Sequence, residues 1–310
     1  MRTGLYDFMV LERSPDESER VGPEDRAWVI WLSCGGCEGC TMSVLGATSP
    51  RLEELLAGGL THIPRVEFIH LALSLESGDQ YIEGLKRARL GELDPFILVL
   101  EGSLFDERLA GDGSFSRLGR VAGRTLRVED WVAGLAPRAA AVIAIGTCAT
   151  WGGIPAARGN VTGAMGLEAF LGKDFRSRGG LPIVNVPGCA PNGDAFVELL
   201  SYVLLHLGDL VPLDLDELNR PRWLYSTSTP LRPARVPNQS WKEGDERAEC
   251  CVPVRGWINH IGGCALVGGA CNGCTRPDFP DRTLPVIAPH AARTVAGVRG
   301  NLVRHPRPVY

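Results

Sequence analysis

The sequence has no long hydrophobic run and no excess of positive charge. No uninterrupted apolar stretch approaches the ~18 residues that cross a bilayer, so no transmembrane segment is expected. Residues 1–25 are polar and charged, without the apolar core of a secretion signal or a twin arginine. A net charge of −4 gives no reason to expect nucleic acid as a partner. We therefore expect a cytoplasmic chain that reaches a membrane only through a partner.

Cysteine is also scarce for a chain stabilised by disulfides. Ten cysteines in 310 residues are few for such a scaffold, and they cluster in CxxC groups rather than spreading evenly. Clustered cysteines in a chain of this size favour metal binding in a reducing compartment. The sequence therefore points to thiolate-ligated metal.

Apolar runs alternate with helical patterns over the first two thirds of the chain. Five runs predict buried strands, at residues 27–32, 66–73, 96–100, 139–145 and 182–186. Helical spacing occurs at residues 51–56, 78–90, 128–135, 166–171 and 192–207. Continuous apolar strands that alternate with helices predict an α/β fold with a parallel sheet covered on both faces. We expect an N-terminal extension (1–25), this sheet domain (26–211) and an irregular C-terminal domain (212–310).

The first predicted strand leads into WLSCGGCEGC, which holds Cys34, Cys37 and Cys40. Two thiolates three residues apart can bind one metal centre, and the glycines allow the backbone N–H groups to approach the sulfurs. An isolated CxxC more often forms a zinc knuckle or a disulfide. Spacing alone leaves open which two of the three cysteines are ligands.

Cys148 and Cys189 each follow a later predicted strand. Because parallel strands end at one edge of the sheet, these two cysteines and the first CxxC should converge there. Tetrahedral thiolate ligation suits zinc or an iron–sulfur cluster. Structural zinc normally takes its ligands from compact ribbons, so ligands from such distant loops favour a cluster.

The tail carries a second group of cysteines within 25 residues. Its members are Cys250, Cys251, Cys264, Cys271 and Cys274. The segment is rich in glycine and has little periodicity, so a second metal centre should organise it in place of a hydrophobic core.

Several motifs in order resemble the small, electron-transfer subunit of [NiFe] hydrogenases. They are WLxxxxCxGC (31–40), VLEGS (99–103), GTCAxxGG (146–153), GNVTGAMG (159–166), PGCxP (187–191) and CxGCTxPDFPD (271–281). The run RGWINHIGGC (255–264) is most similar to the high-affinity, actinobacterial members. The resemblance implies a flavodoxin-like first domain and electron transfer from H2, which a nickel–iron site in a separate large subunit oxidises.

The resemblance also implies ligand sets. The proximal [4Fe-4S] cluster would be held by Cys37, Cys40, Cys148 and Cys189, with Cys34 as an additional, buried residue. The second cluster would be held by Cys250, Cys264, Cys271 and Cys274, with Cys251 as the alternative to Cys250. Because many members have proline where Cys264 stands and bind [3Fe-4S] there, this chain should carry [4Fe-4S] instead.

The sequence departs from these relatives between residues 225 and 249, which contain neither His nor Cys. We therefore expect no distal cluster, and the second cluster should pass electrons to a redox acceptor protein or to a second copy of the complex, in a dimer of heterodimers. The implied partner is the [NiFe] large subunit.

Two carboxylates and three rival functions remain. Glu76 and Glu101 follow apolar strands, so either could tune a cluster or relay protons, or simply cap a helix or loop. The first rival function, a quinone-reductase subunit of the same fold, is disfavoured by the cysteine-rich tail. The second is a subunit of a hydrogen-sensing complex, and the third is a zinc-organised interaction module.

Overall fold

The structure, a computed structural model, describes residues 26–70, 78–121, 123–225 and 273–281. Those residues form seven strands: β1 (Arg26–Ser33), β2 (Arg65–Ile69), β3 (Phe96–Glu101), β4 (Gly119–Val121), β5 (Arg124–Leu126), β6 (Ala141–Ile145) and β7 (Val184–Val186). They also form eight α-helices: α1 (Gly39–Leu45), α2 (Leu52–Ala57), α3 (Asp79–Leu90), α4 (Val128–Leu135), α5 (Gly146–Trp151), α6 (Leu167–Leu171), α7 (Gly193–Leu207) and α8 (Arg222–Tyr225).

Five strands form one sheet in the order β2-β1-β3-β6-β7, and every neighbouring pair is parallel. Leaving aside the small antiparallel β4–β5 hairpin, this order is that of flavodoxin-like folds, whose ligands bind beyond the carboxyl ends of the strands. The predicted α/β fold with a parallel sheet is therefore confirmed.

A hydrophobic core lies on each face of the sheet. Along β1, Val29 and Trp31 face one core while Ile30 and Leu32 face the other, as the two-residue period of a strand requires. All four side chains are almost fully buried. Burial on both faces is why the strands read as continuous apolar runs.

The predicted strands and helices are all present, with small differences at their ends. The second strand is shorter than expected, because it ends at Ile69. The elements that were not predicted include two short helices, α1 and α5, which carry predicted ligands. Each begins within a glycine-containing cysteine motif, where six or seven residues are too few to show helical periodicity.

The stretch that follows α7 packs against the last strand of the sheet. The Asn185 backbone N–H of β7 donates to Asn219 O at 2.8 Å, and the Tyr225 hydroxyl donates to Pro187 O at 2.8 Å. These bonds occupy the free edge of β7. The proposed domain boundary at residue 212 stays a prediction. In the described part of the chain, no helix has the length and apolar character needed to cross a bilayer.

Candidate metal centre

Four predicted ligands lie at the carboxyl edge of the parallel sheet. Cys37 follows β1, Cys40 lies in the first turn of α1, Cys148 lies in α5 after β6, and Cys189 follows β7. All four are free thiols. The topology thus brings together cysteines from three loops that are far apart in sequence.

A glycine at the end of β6 allows this convergence. Gly146 adopts a φ of 84°, which L side chains rarely adopt, and a Cβ there would overlap the Cys40 sulfur. A Cβ on Gly153 would lie 2.9 Å from the Cys148 sulfur. The two sulfurs therefore lie directly against glycine backbone, where no other side chain would fit.

The thiols influence one another and their surroundings electrostatically. Burial raises the pKa of Cys40, and the Glu101 carboxylate raises it further. Burial also raises the pKa of Cys148, against the effect of a hydrogen bond from the Ile154 backbone N–H. Burial and then the charge of Cys148 raise the pKa of Cys189 to about 11. Cys40, Cys148 and Cys189 therefore favour the protonated thiol, so a metal centre that binds them must displace protons.

Glu101, at the end of β3, holds the backbone that carries Cys40. Its carboxylate accepts hydrogen bonds from the Cys40 N–H at 2.9 Å and from the Thr41 N–H at 3.1 Å. The Thr41 hydroxyl and the Trp31 indole N–H also donate to it, at 2.5 and 3.3 Å. Glu101 is 2% exposed, and it satisfies the first N–H groups of α1 as a capping side chain would.

The sequence offered a helix or loop cap as one role for Glu101, but it could not show that the capped helix is α1. Its position directly after an apolar run, followed by Gly102 and Ser103, was the available signal. The other carboxylate singled out, Glu76, lies outside the described residues.

Cys34 lies apart from the other thiols of its motif. Its thiol donates to Glu129 Oε1 at 3.6 Å. The side chain packs against the core that contains Ile30 and Leu32. The same carboxylate accepts from the Phe105 N–H at 3.0 Å and from the Ser116 hydroxyl. Burial and the charge of Glu129 raise the pKa of the Cys34 thiol. Its contacts are therefore those of a buried side chain beside a carboxylate.

Of the five tail cysteines, the structure describes Cys274. Its charge contributes to the raised pKa of Cys189, so Cys274 lies near the sheet edge. The other four lie outside the described residues: Cys250, Cys251, Cys264 and Cys271. Within the described ranges, no three or more Cys, His, Asp or Glu side chains are arranged to hold a single metal ion.

The donor set at the sheet edge suits an iron–sulfur cluster. Four free thiols supply the four soft ligands that such a cluster takes from protein, and the flanking glycines leave backbone close to the sulfurs. A flavodoxin-like sheet with these thiols at its ligand-binding edge defines a thiolate-ligated redox protein.

Comparison with known proteins identifies the family. A family model described as NADH ubiquinone oxidoreductase, 20 Kd subunit, matches residues 37–203. The periplasmic [NiFe] hydrogenase small subunit 1 of Nitratidesulfovibrio vulgaris is 30% identical over 292 residues, covering 88% of this chain and 85% of that protein. The Hydrogenase-2 small chain of Escherichia coli K12 is 34% identical over 208 residues, covering 67% of this chain and 50% of that longer protein.

A solved structure agrees with this identification. The actinobacterial-type NiFe-hydrogenase from Ralstonia eutropha H16 superposes with a TM-score of 0.76 at 35% identity, covering 92% of this chain and 94% of that chain. The chain therefore belongs to the [NiFe] hydrogenase small-subunit family. The resemblance inferred from its motifs, including that to the actinobacterial type, is confirmed.

Proposed function

We propose that this chain carries electrons from a nickel–iron site in a large subunit through two iron–sulfur clusters to an acceptor. The observation that supports this most directly is the convergence of Cys37, Cys40, Cys148 and Cys189 at one edge of the sheet. Small subunits of this family pair with a large subunit, and that edge is the surface where a buried redox centre would face it.

The proximal [4Fe-4S] cluster would be held by those four thiolates. The second, also [4Fe-4S], would be held by Cys250, Cys264, Cys271 and Cys274, with Cys251 as the alternative to Cys250. When bound, the clusters accept and release single electrons. The chain contributes the rest: burial of the thiols, the carboxylate of Glu101 that fixes the start of α1, and the Ser103 hydroxyl beside Cys148.

The exit of electrons from the second cluster follows from the absence of His and Cys between residues 225 and 249. Carboxylates are hard ligands that suit iron–sulfide poorly, so no distal cluster is proposed. The acceptor would be a redox protein or a second copy of the complex. A cytoplasmic location stays a prediction, since one relative named above is periplasmic.

Iron and sulfide analysis with EPR, on the chain purified with its partners, tests this function. Two [4Fe-4S] clusters contain about eight irons. Oxidised protein should lack the strong EPR signal of [3Fe-4S]. About twelve irons would contradict the two-cluster proposal, and a [3Fe-4S] signal would show that Cys264 is not a ligand.

A pair of cysteine variants tests the ligand assignment. Cys148→Ser should lose about four irons and all H2-dependent dye reduction, because electrons could no longer leave the large subunit. Cys34→Ser is the matched control, since its thiol bonds to Glu129 rather than lying among the ligands. It should retain full iron content. Equal iron loss in both variants would refute the choice of Cys37 and Cys40 as the ligand pair.

A further inference from the structure

One buried hydroxyl connects three segments that carry cysteines. Thr147, which precedes Cys148 in α5, is 1% exposed. Its hydroxyl oxygen accepts from the Gly188 N–H at 2.9 Å, and Gly188 precedes Cys189. The same hydroxyl donates to the Cys274 carbonyl. A single side chain therefore joins two proximal segments to Cys274.

The bond to Gly188 is one of a reciprocal pair. The Thr147 N–H donates to Gly188 O at 3.0 Å, so the backbones of the two proximal segments are held together independently of the hydroxyl. Loss of the hydroxyl would leave that second bond in place. The connection to Cys274, in contrast, depends on the side chain.

Two further contacts seat residues 273–281 on the sheet domain. The Trp151 indole N–H, one turn after Thr147, donates to Thr275 O at 3.1 Å. The Arg158 N–H donates to both Asp281 carboxylate oxygens, at 2.9 and 3.0 Å. The Thr147 bond differs from these two contacts because it reaches Cys274 itself and because Thr147 adjoins Cys148.

A threonine suits this position because a hydroxyl can accept and donate at the same time. Valine has nearly the same shape but would leave the Gly188 N–H and the Cys274 carbonyl each without this partner, and an unmade buried bond is costly. Thr150 provides a comparison in the same helix. It is 2% exposed, and its hydroxyl donates to carbonyls of α5 itself, Gly146 O at 3.1 Å and Thr147 O at 3.3 Å.

We infer that Thr147 is a positioning residue that fixes Cys274, a proposed ligand of the second cluster, relative to Cys148 and Cys189, and so contributes to the separation across which electrons pass. This inference rests on the proposed two-cluster function. The residue itself binds neither cluster. It acts through the Cys274 carbonyl, and so on the position of Cys274.

The test compares Thr147→Val, Thr147→Ser and Thr150→Val in the complex purified with its large subunit. Amide hydrogen exchange of residues 273–281 should rise on the order of tenfold in Thr147→Val, from the loss of a buried hydrogen bond. Thr150→Val should leave that exchange unchanged, and Thr147→Ser should restore it. Trp151→Phe loses the bond to Thr275 and should also raise the exchange of residues 273–281.

The spectroscopic measurement is the EPR spectrum of the fully reduced complex. Magnetic interaction between the two clusters should weaken or become heterogeneous in Thr147→Val at unchanged iron content, and should return in Thr147→Ser. Unchanged exchange and unchanged interaction in Thr147→Val would overturn the inference. Failure of Thr147→Val to assemble, with Thr147→Ser intact, would assign the residue to folding instead.

The two measurements separate this inference from the proposed function. Hydrogen exchange follows the seating of residues 273–281 and needs no iron. If the complex lacked two clusters but hydrogen exchange were faster in Thr147→Val, the proposed function would be contradicted and the contact established. If the complex held two clusters but Thr147→Val changed neither measurement, the function would stand and the inference about Thr147 would fail.

Discussion

Among single residues, Glu101 and its neighbours connect the candidate centre to the core. Thr41 donates its hydroxyl hydrogen to Glu101, so its oxygen accepts from His70 Nε2 at 3.3 Å. His70 also lies edge-on to the Trp31 ring, with centroids 5.2 Å apart. In this contact Nε2 of the imidazole therefore carries a hydrogen.

Burial of His70 predicts an acid-sensitive fold. Burial lowers its pKa to about 4 from an ordinary value near 6.5. Between those values the unfolded chain binds a proton that the folded chain cannot, so the free energy of unfolding should decrease as pH falls from about 6.5 to about 4. The loss should be roughly 2 kcal/mol.

Urea unfolding of wild type and His70→Gln at pH 7 and pH 4.5 measures this effect. Glutamine cannot take up the proton, so the variant should be less stable at pH 7 but should lose less stability on acidification. Equal losses in the two proteins would show that His70 does not cause the acid sensitivity.

At the scale of elements, the position of Cys40 depends on close packing between α1 and α7. Gly193, the first residue of α7, lies so close to α1 that an added Cβ would overlap the Ser43 carbonyl. The Ser43 hydroxyl also donates to Pro191 O at 2.7 Å, just before α7 begins. The start of α7 therefore limits where α1, and with it Cys40, can lie.

Gly193→Ala should consequently disturb the proximal cluster from a distance. The new methyl group would push α1 away from α7, and we expect partial loss of iron together with a shifted EPR signal of that cluster. Gly208→Ala is the control at the other end of α7. A Cβ there would lie 3.6 Å from the Leu204 and Leu205 carbonyls, an ordinary contact. Equal iron content in both variants would show that the α1–α7 contact does not position Cys40.

On the scale of the whole molecule, the sheet edge with the thiols also exposes apolar side chains. Met42 and Leu45 of α1 are 65% and 45% exposed, and Ile154, just after α5, is 48% exposed. Exposed apolar groups around a candidate redox centre are typical of an interface with another subunit. This face is where we expect the large subunit.

A charge on this face should therefore weaken subunit association. Met42→Lys should reduce the amount of large subunit that co-purifies, because a lysine would be buried without a partner. Leu90→Lys is the control: Leu90 is 73% exposed and ends α3, toward the opposite edge of the sheet. Equal recovery of the large subunit with both variants would place the interface elsewhere.

The sheet and the order of the thiols along it could be predicted from the sequence. Strands β1, β3 and β6 contain continuous apolar runs, and Cys37, Cys148 and Cys189 each lie within a few residues of a strand end. Because parallel strands end at one edge, this local pattern was enough to predict convergence. The family also followed from ordered motifs.

The other residues that serve the centre can be identified only in the folded chain. Glu101, 61 residues from Cys40, caps the helix of that cysteine, and Thr147 reaches Cys274 across 127 residues. The folded chain also separates Cys34 from the neighbouring thiols, because Cys34 bonds to Glu129, which is 95 residues away in sequence. These contacts depend on which loops the folded sheet brings together, and hydrophobic periodicity carries no information about such pairs.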